Sequence, residues 1–248
     1  MRFNIEKLAK FWQKSELSWQ IFESIPSTNQ KLWEMIEEGV KLPIVAIACE
    51  QTGGKGQWGR VWQSTPGGLY LSLGLPTDLL ATNAPHITIF SAWGIVTSLN
   101  KHNIPVLIKW PNDILLNRKK LGGILSETRV QQGKITHLVI GVGINWVNSV
   151  PETGINLQSF PEINSLEMLA EITLNGILSG YEYYLAKGIE TLVESYQKLL
   201  DKPNITVNGC PGIVKGITAA GELRVCLYSV GAKTEITLPP GTISIGYC

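Results

Sequence analysis

Histidine, cysteine and methionine are scarce in this 248-residue chain, which holds three, four and three of them. Cys49, Cys210, Cys226 and Cys248, with His86, His102 and His137, are scattered without any C-x-x-C or H-x-x-x-H spacing, which argues against a structural metal or a disulfide framework. The same scarcity leaves no Ser-His-Asp or Cys-His constellation, and G-x-S-x-G is absent, so no covalent nucleophile is expected. Charge of one sign is lacking too. Lys plus Arg number 21 and Asp plus Glu 20, a net charge of +1, which provides no global basic field for holding nucleic acid by counterion release. No run approaches the ~18 apolar residues of a membrane span, and the opening MRFNIEKLAKFWQKSE alternates charged with apolar residues instead of forming a secretory apolar core. The expectation is a soluble, cytoplasmic chain with neither DNA nor membrane as a partner.

What is present is apolar: 44% of residues are hydrophobic, with 25 Gly and 13 Pro, enough for a sizeable core. At ~150 residues per domain, the length fits one main domain and a small appendage. Ser27 followed by Gln30 reads as a capping box opening a helix through Leu32, Met35 and Ile36, with Gly39 ending it. The runs 44–48 and 68–73 read as strands joined by a glycine-rich loop, and 86–101 as an amphipathic helix. From Val106 to Ile144, four apolar runs separated by turn residues such as Asn117-Arg118 and Gln132-Gly133 read as an antiparallel meander. Residues 165–200 read as two helices broken near Gly188. Beyond Lys202-Pro203, short strands with turns at Gly209, Gly216, Gly221 and Gly231 read as a small β-barrel. Domains of 1–202 and 203–248 follow.

Several constellations could carry chemistry. Gly54-Lys55-Gly56-Gln57-Trp58-Gly59 matches G-x-G-x-x-G literally, but it leads into a strand, whereas a dinucleotide loop must open a helix. It is no P-loop either, since Gly56 follows Lys55 where a Mg²⁺-ligating Ser or Thr belongs. By itself it is a phosphate-pairing loop, with Lys55 and Arg60 as charges and Trp58 and Trp62 as flat faces, or an ordinary glycine-rich hairpin. Lys109-Trp110-Pro111-Asn112-Asp113 follows a short apolar strand. Its lysine either snorkels at an edge or is held inward to meet an anion, and Pro111 leaves Asn112 and Asp113 at a bend. The glycines of Lys120-Leu121-Gly122-Gly123-Ile124-Leu125 and Gly141-Val142-Gly143-Ile144-Asn145 mark close approach of a ligand or backbone, or β-bulges. Ser27-Thr28-Asn29 alone is a helix cap.

Taken in order, the last four segments and Glu50-Gln51-Thr52-Gly53-Gly54-Lys55-Gly56-Gln57-Trp58-Gly59-Arg60 resemble the biotin protein ligases over almost the whole chain. K-W-P-N-D followed by K-L-G-G-I-L is the most distinctive part. The resemblance implies an α+β fold: a mixed, largely antiparallel sheet flanked by helices, similar to the class II aminoacyl-tRNA synthetase catalytic domain, plus a small C-terminal SH3-like β-barrel. It implies an enzyme that joins biotin to ATP as biotinyl-5′-adenylate with Mg²⁺ and passes biotin to a lysine of the biotin carboxyl carrier protein of acetyl-CoA carboxylase.

By the same resemblance, Ser27, Thr28, Asn29, Gln51, Gly54, Lys55, Gly56 and Gln57 contact biotin, with Lys109, Gly123, Gly141 and Gly143 completing its site. Lys55, Gln57, Arg60, Trp62, Lys109, Asn112 and Asn145 contact the nucleotide, and Lys109 and Arg60 are the catalytic cations. The metal ligand is left open, Asp113 being the candidate. Many bacterial members carry G-R-G-R-x-G-R, and here Lys55 and Gln57 stand at the two inner arginine positions. Lys55 keeps the charge without the bidentate fork, and Gln57 loses it.

Three rivals remain. A lipoate or octanoate ligase is disfavoured by the intact 54–60 loop and K-W-P-N-D, and an inactive vitamin-binding module by the retained charges. In a biotin-responsive repressor a DNA-reading domain precedes the catalytic one, and only about 20 residues precede Ile25 here, so a short form without that domain is expected. The oligomeric state stays open, a homodimer included. Residues 203–248 hold no charged constellation, so the tail is expected to contribute no residue to the chemical step.

Overall fold

The computed structural model describes residues 3–4, 8, 17–229, 232–243 and 245–247. Gly231 and Cys248, and most of the opening charged segment, lie outside them. The strands and helices in chain order are β1 (Ser18–Ile25), α1 (Thr28–Glu37), β2 (Ile44–Gln51), β3 (Gly68–Pro76), α2 (Ala84–Lys101), β4 (Val106–Lys109), β5 (Asp113–Leu116), β6 (Lys119–Gln131), β7 (Lys134–Asn145), α3 (Leu166–Leu199), β8 (Asn204–Val207), β9 (Cys210–Ile217), β10 (Leu223–Ser229) and β11 (Ala232–Leu238).

The first seven strands form one sheet in the order β1-β2-β3-β7-β6-β5-β4. Only β1 and β2 run parallel, and the remaining pairs are antiparallel. The expected meander is β4 to β7. Its tight turns have positive φ at both central residues, 50° and 61° at Asn117-Arg118 and 52° and 76° at Gln132-Gly133, the geometry that matches strand twist in two-residue hairpins. These turns fix the register.

The central strands are buried on both faces, so β2 is a continuous apolar run and not an alternating one. Val45 and Ile47 enter the larger core beneath α2 and α3, while Ile44 and Ala46 join Leu32 and Met35 of α1 on the other face. The expected amphipathic character of α2 gives way for the same reason: buried residues from His86 to Leu99 cover most of its circumference, because it lies between the sheet and α3. The two helices touch backbone to backbone, since a Cβ at Gly94 would strike the Gly176 carbonyl and one at Gly180 that of Phe90. Helix α3 breaks at Gly188, whose φ of 75° and ψ of 172° are not helical.

Helix α1 begins at Ser27, whose Oγ accepts from the Gln30 amide at 3.5 Å, and Gly39 follows its end with φ 82°. The reciprocal half of the expected capping box is not made, because the Gln30 side chain turns forward to Glu34 at 3.1 Å.

The second sheet is antiparallel, in the order β11-β10-β9-β8, and is open, with no pairing among the described residues that closes it into a barrel. Gly209 and Gly221 sit at turns with φ 80°. Gly216 does not: it lies inside β9, where a side chain would collide with Gln197 of α3. Across the two sheets, the Trp110 indole donates to the Gly221 carbonyl at 2.8 Å. Among the described residues, no helix is long and apolar enough to cross a membrane.

Candidate functional site

The sheet's register gathers residues far apart in sequence into one row. Lys109 pairs with Asp113, Asp113 with Gly123, Gly123 with Gly143 and Gly143 with Tyr70. One step along, Leu125 pairs with Gly141 and Gly141 with Ser72. Residues two apart share a face, so Gly123, Gly141 and Gly143 leave a stretch of the α1-side face without side chains. Neighbouring groups fill the space: a Cβ at Gly141 would strike the Asn29 amide, and one at Gly143 the Trp62 indole. The result is a pocket floored by β6 and β7, walled by the start of α1 and covered by the 55–62 loop.

At one end the lining polar groups, Ser27, Thr28, Asn29 and Gln51, are uncharged, and a chain of hydrogen bonds runs through the last three to Glu127 outside the pocket. Gln51 Nε2 donates to Ser64 Oγ at 2.8 Å, and Gln51 Oε1 accepts from the Thr28 amide at 2.8 Å and from its hydroxyl at 3.2 Å. Ser72 Oγ lies 2.7 Å from Thr28 Oγ1 and 2.6 Å from Asn29 Oδ1. Asn29 Nδ2 donates to Glu127 at 2.9 Å, as does the Trp33 indole at 3.0 Å. This relay fixes the orientation of every amide in it.

At the other end the groups are charged. Lys109, at the end of β4, is buried, with a side-chain exposure of 7%. Burial pushes its ammonium down to about 8; Asp113 opposes that shift, and the Lys120 and Arg60 charges add to it. Asp113 lies 2.7 Å from Lys120 Nζ and 4.0 Å from Lys109 Nζ. Lys55 and Arg60 are exposed on the covering loop. Two buried polar atoms facing this pocket have no protein partner, Gln57 Oε1 and Trp62 Nε1. Buried polar groups are bonded in almost every native structure, so each of these two atoms has bonding capacity that the protein itself does not use.

The sequence profile of the Biotin/lipoate A/B protein ligase family matches residues 21–145, from β1 to the last residue of β7. The chain belongs to this family. It is 35% identical over 151 residues to the bifunctional ligase/repressor BirA of Bacillus subtilis, covering 59% of this chain and 46% of that protein. To the Escherichia coli protein of the same description it is 32% identical over 222 residues, 80% of this chain and 66% of that one. The chain spans about half the length of the Bacillus relatives it matches. The biotin protein ligase of Aquifex aeolicus, solved in complex with biotin and ATP, shares the fold with a TM-score of 0.67 and 22% identity, over 88% of this chain and 95% of that one.

Most residues expected to serve a family site converge on the pocket. Ser27, Thr28, Asn29 and Gln51 line one end; Lys55, Gly56, Gln57, Arg60 and Trp62 the cover; Lys109, Asn112, Asp113, Gly123, Gly141 and Gly143 the floor and far end. Asn112 also ties the bend to β6, donating to the Ile124 carbonyl at 2.7 Å.

Two expected contacts are not brought together with the rest. Asn145, expected at the nucleotide, is buried outside the pocket, its Nδ2 donating to the Ile155 and Lys120 carbonyls at 3.2 and 3.5 Å and its Oδ1 accepting from Asn148 at 3.0 Å. Gly54 lies outside it too, its Cβ position filled by the Trp62 carbonyl and Ser64 Oγ. The lining also holds residues to which no site role was assigned. Lys120 was legible within K-L-G-G-I-L as a second lysine near the bend, but Ile243, Ile245 and Tyr247 carried no motif. The tail, expected to contribute no residue to the chemical step, does reach the pocket, where the Tyr247 ring lies against Lys109.

Asp113 is the candidate metal ligand, and a metal held by protein groups alone would need further such residues beside it. Among the described residues, no three of His, Cys, Asp and Glu form a cluster that could hold one. The Asp113 carboxylate is taken up by Lys120, Lys109 and the Tyr247 hydroxyl.

Proposed function

We propose that this chain activates biotin with ATP as biotinyl-5′-adenylate and transfers it to one lysine of a biotin carboxyl carrier protein of acetyl-CoA carboxylase. One observation carries the reading: a single pocket on a glycine floor holds a neutral, pre-bonded polar relay at one end and buried positive charge at the other. A ureido ring needs a few fixed donors and acceptors in an otherwise apolar setting, and Ser27, Thr28, Asn29 and Gln51 supply them. The biotin carboxylate would then point toward Lys109.

In the first step the carboxylate oxygen attacks the α-phosphorus, the α–β phosphoanhydride bond breaks, and pyrophosphate leaves with that electron pair. Two anions must approach one another. Lys109, fixed by β4 and held in a dry setting, offsets their repulsion most when they are closest, which stabilises the transition state over the substrates. Lys120, Arg60 and Lys55 would extend the positive surface along the phosphates, and Trp62, whose ring centroid is 5.1 Å from Lys120 Nζ, would offer the adenine a face to stack on. Mg²⁺ enters as a companion of ATP, with no residue of this chain assigned to it. In the second step the carrier's lysine amine attacks the acyl carbon and AMP departs. Closure of the glycine-containing 54–59 loop excludes water, which would hydrolyse the adenylate.

The reading includes a division at about residue 202, with 203–248 as an SH3-like unit, supported by the four antiparallel strands β8 to β11. It places the protein in the cytoplasm, where ATP and the carrier are made. The test is incubation with ATP, a carrier domain and either labelled biotin or labelled lipoate. Biotin should be incorporated at one lysine and lipoate should not; lipoate incorporation alone would move the chain to the other branch of the family.

A further inference from the structure

Tyr247 stands where the proposed reaction needs an anion. Its ring centroid is 3.2 Å from Lys109 Nζ, and its hydroxyl donates to Asp113 Oδ2. The contact is not isolated. Ile243 and Ile245 line the same pocket, and Gly241 lies so close to the covering loop that a Cβ there would meet the Trp58 indole at 3.0 Å. Described residues from 241 to 247 therefore reach from the loop that covers the pocket to the lysine at its far end.

These contacts satisfy the charge cluster with protein groups alone. A buried ammonium is attracted to an aromatic face, and burial and the neighbouring Asp113 keep the phenol protonated well above its ordinary range, so it remains an uncharged donor to that carboxylate. A ring over Lys109 and a phosphate or carboxylate oxygen at Lys109 need the same space. The ring is the weaker partner, since it carries no net charge and an anion makes a charge-assisted bond.

We propose that Tyr247 competes for the anion site at Lys109, capping that lysine and holding Asp113 until the phosphates of ATP displace it. The chain's own tail thus competes with its nucleotide. This rests on the reading that the pocket takes ATP.

The test uses the full chain with Tyr247→Ala and Tyr247→Phe, each checked for folding by circular dichroism. Lys109 is labelled with acetic anhydride, its rate is followed by peptide mass spectrometry, and ATP binding is measured by calorimetry. In Tyr247→Ala, Lys109 should label about fivefold faster and ATP should bind on the order of tenfold tighter, the loss of one desolvated cation–ring contact. Tyr247→Phe keeps the ring and loses only the bond to Asp113, so it should stay nearer the parent on both readouts. Equal labelling of Lys109 in parent and Tyr247→Ala would overturn the proposal, as would ATP binding that is unchanged or weaker in the variant. A parent chain that binds no ATP would count against the nucleotide reading instead, and the labelling ratio alone would then decide the role of Tyr247.

Discussion

The buried Lys109 makes the rate of adenylate formation depend on pH in a calculable way. An exposed lysine stays charged to pH 10 and beyond, whereas burial at the end of β4 holds this ammonium at about 8. Only the protonated form offsets the repulsion between carboxylate and α-phosphate. The charged fraction falls from about nine-tenths at pH 7 to about one-tenth at pH 9, so kcat/KM for ATP should fall about tenfold over that interval. Bound anions favour the ammonium, so the same limb in kcat should lie at higher pH. The consequence for stability has the opposite sense. Because the folded value lies below the unfolded one, the unfolded chain binds more protons between pH 8 and 10.5, and raising the pH through that window relieves a burial cost of about 3 kcal/mol. The assay is initial-rate pyrophosphate release from pH 6.5 to 9.5, with Lys109→Arg as control, since a guanidinium does not titrate there. The arginine variant should be slow but flat. A parent profile that is flat to pH 9.5, or a limb that persists in Lys109→Arg, would refute the reasoning.

Three other substitutions separate the roles of the pocket's parts. Gly143→Ala places a methyl group against the Trp62 indole and should raise the KM for ATP about tenfold through overpacking, with a smaller effect on that for biotin; equal effects would show that Trp62 does not border the nucleotide. Gln57→Arg restores a charge where Gln57 Oε1 is buried without a partner, so biotinyl-adenylate should dissociate more slowly in a filter-binding chase; unchanged or faster release would turn position 57 away from the phosphate. Asn145→Ala removes a buried amide that bonds the Ile155 carbonyl and Asn148, leaving the Asn148 amide only the Ser149 carbonyl, and should cost about 2 kcal/mol, read as a fall of roughly 4–8 °C in Tm, with kinetic constants unchanged. A raised KM for ATP at full stability would return Asn145 to the nucleotide.

Local signals in the sequence carried most of this architecture. The glycine at 188, the turn pairs at 117–118 and 132–133, and the shift in composition after Pro203 all mark element boundaries in the folded chain. Lys109 was legible because a lysine that ends an apolar strand before a proline has few places to go. The strand glycines were ambiguous one at a time. Each fits a bulge, and only the register, set by the turns, lays Gly123 beside Gly143 and reveals a floor.

What stayed hidden is what no local pattern encodes. Tyr247 meets Asp113 across 134 residues, in a segment with no charge run or motif to single it out. Asn145 stands apart from the lining residues for a similar reason: its partners, Asn148 and Ile155, are set by the chain just beyond β7. The amphipathic reading of α2 failed because a helix packed on both sides has no solvent face to display.

The account's central claim is that Lys109 is the fixed cation for joining carboxylate to α-phosphate. The most direct test is single-turnover pyrophosphate release, with and without biotin, in the parent chain and in Lys109→Ala shown to be folded. Release should require biotin and should slow on the order of a hundredfold or more in the variant, the loss expected for one preorganised electrostatic donor, while transfer from added biotinyl-adenylate to a carrier domain suffers less. A Lys109→Ala rate within about threefold of the parent, far short of such a donor's effect, would contradict the account.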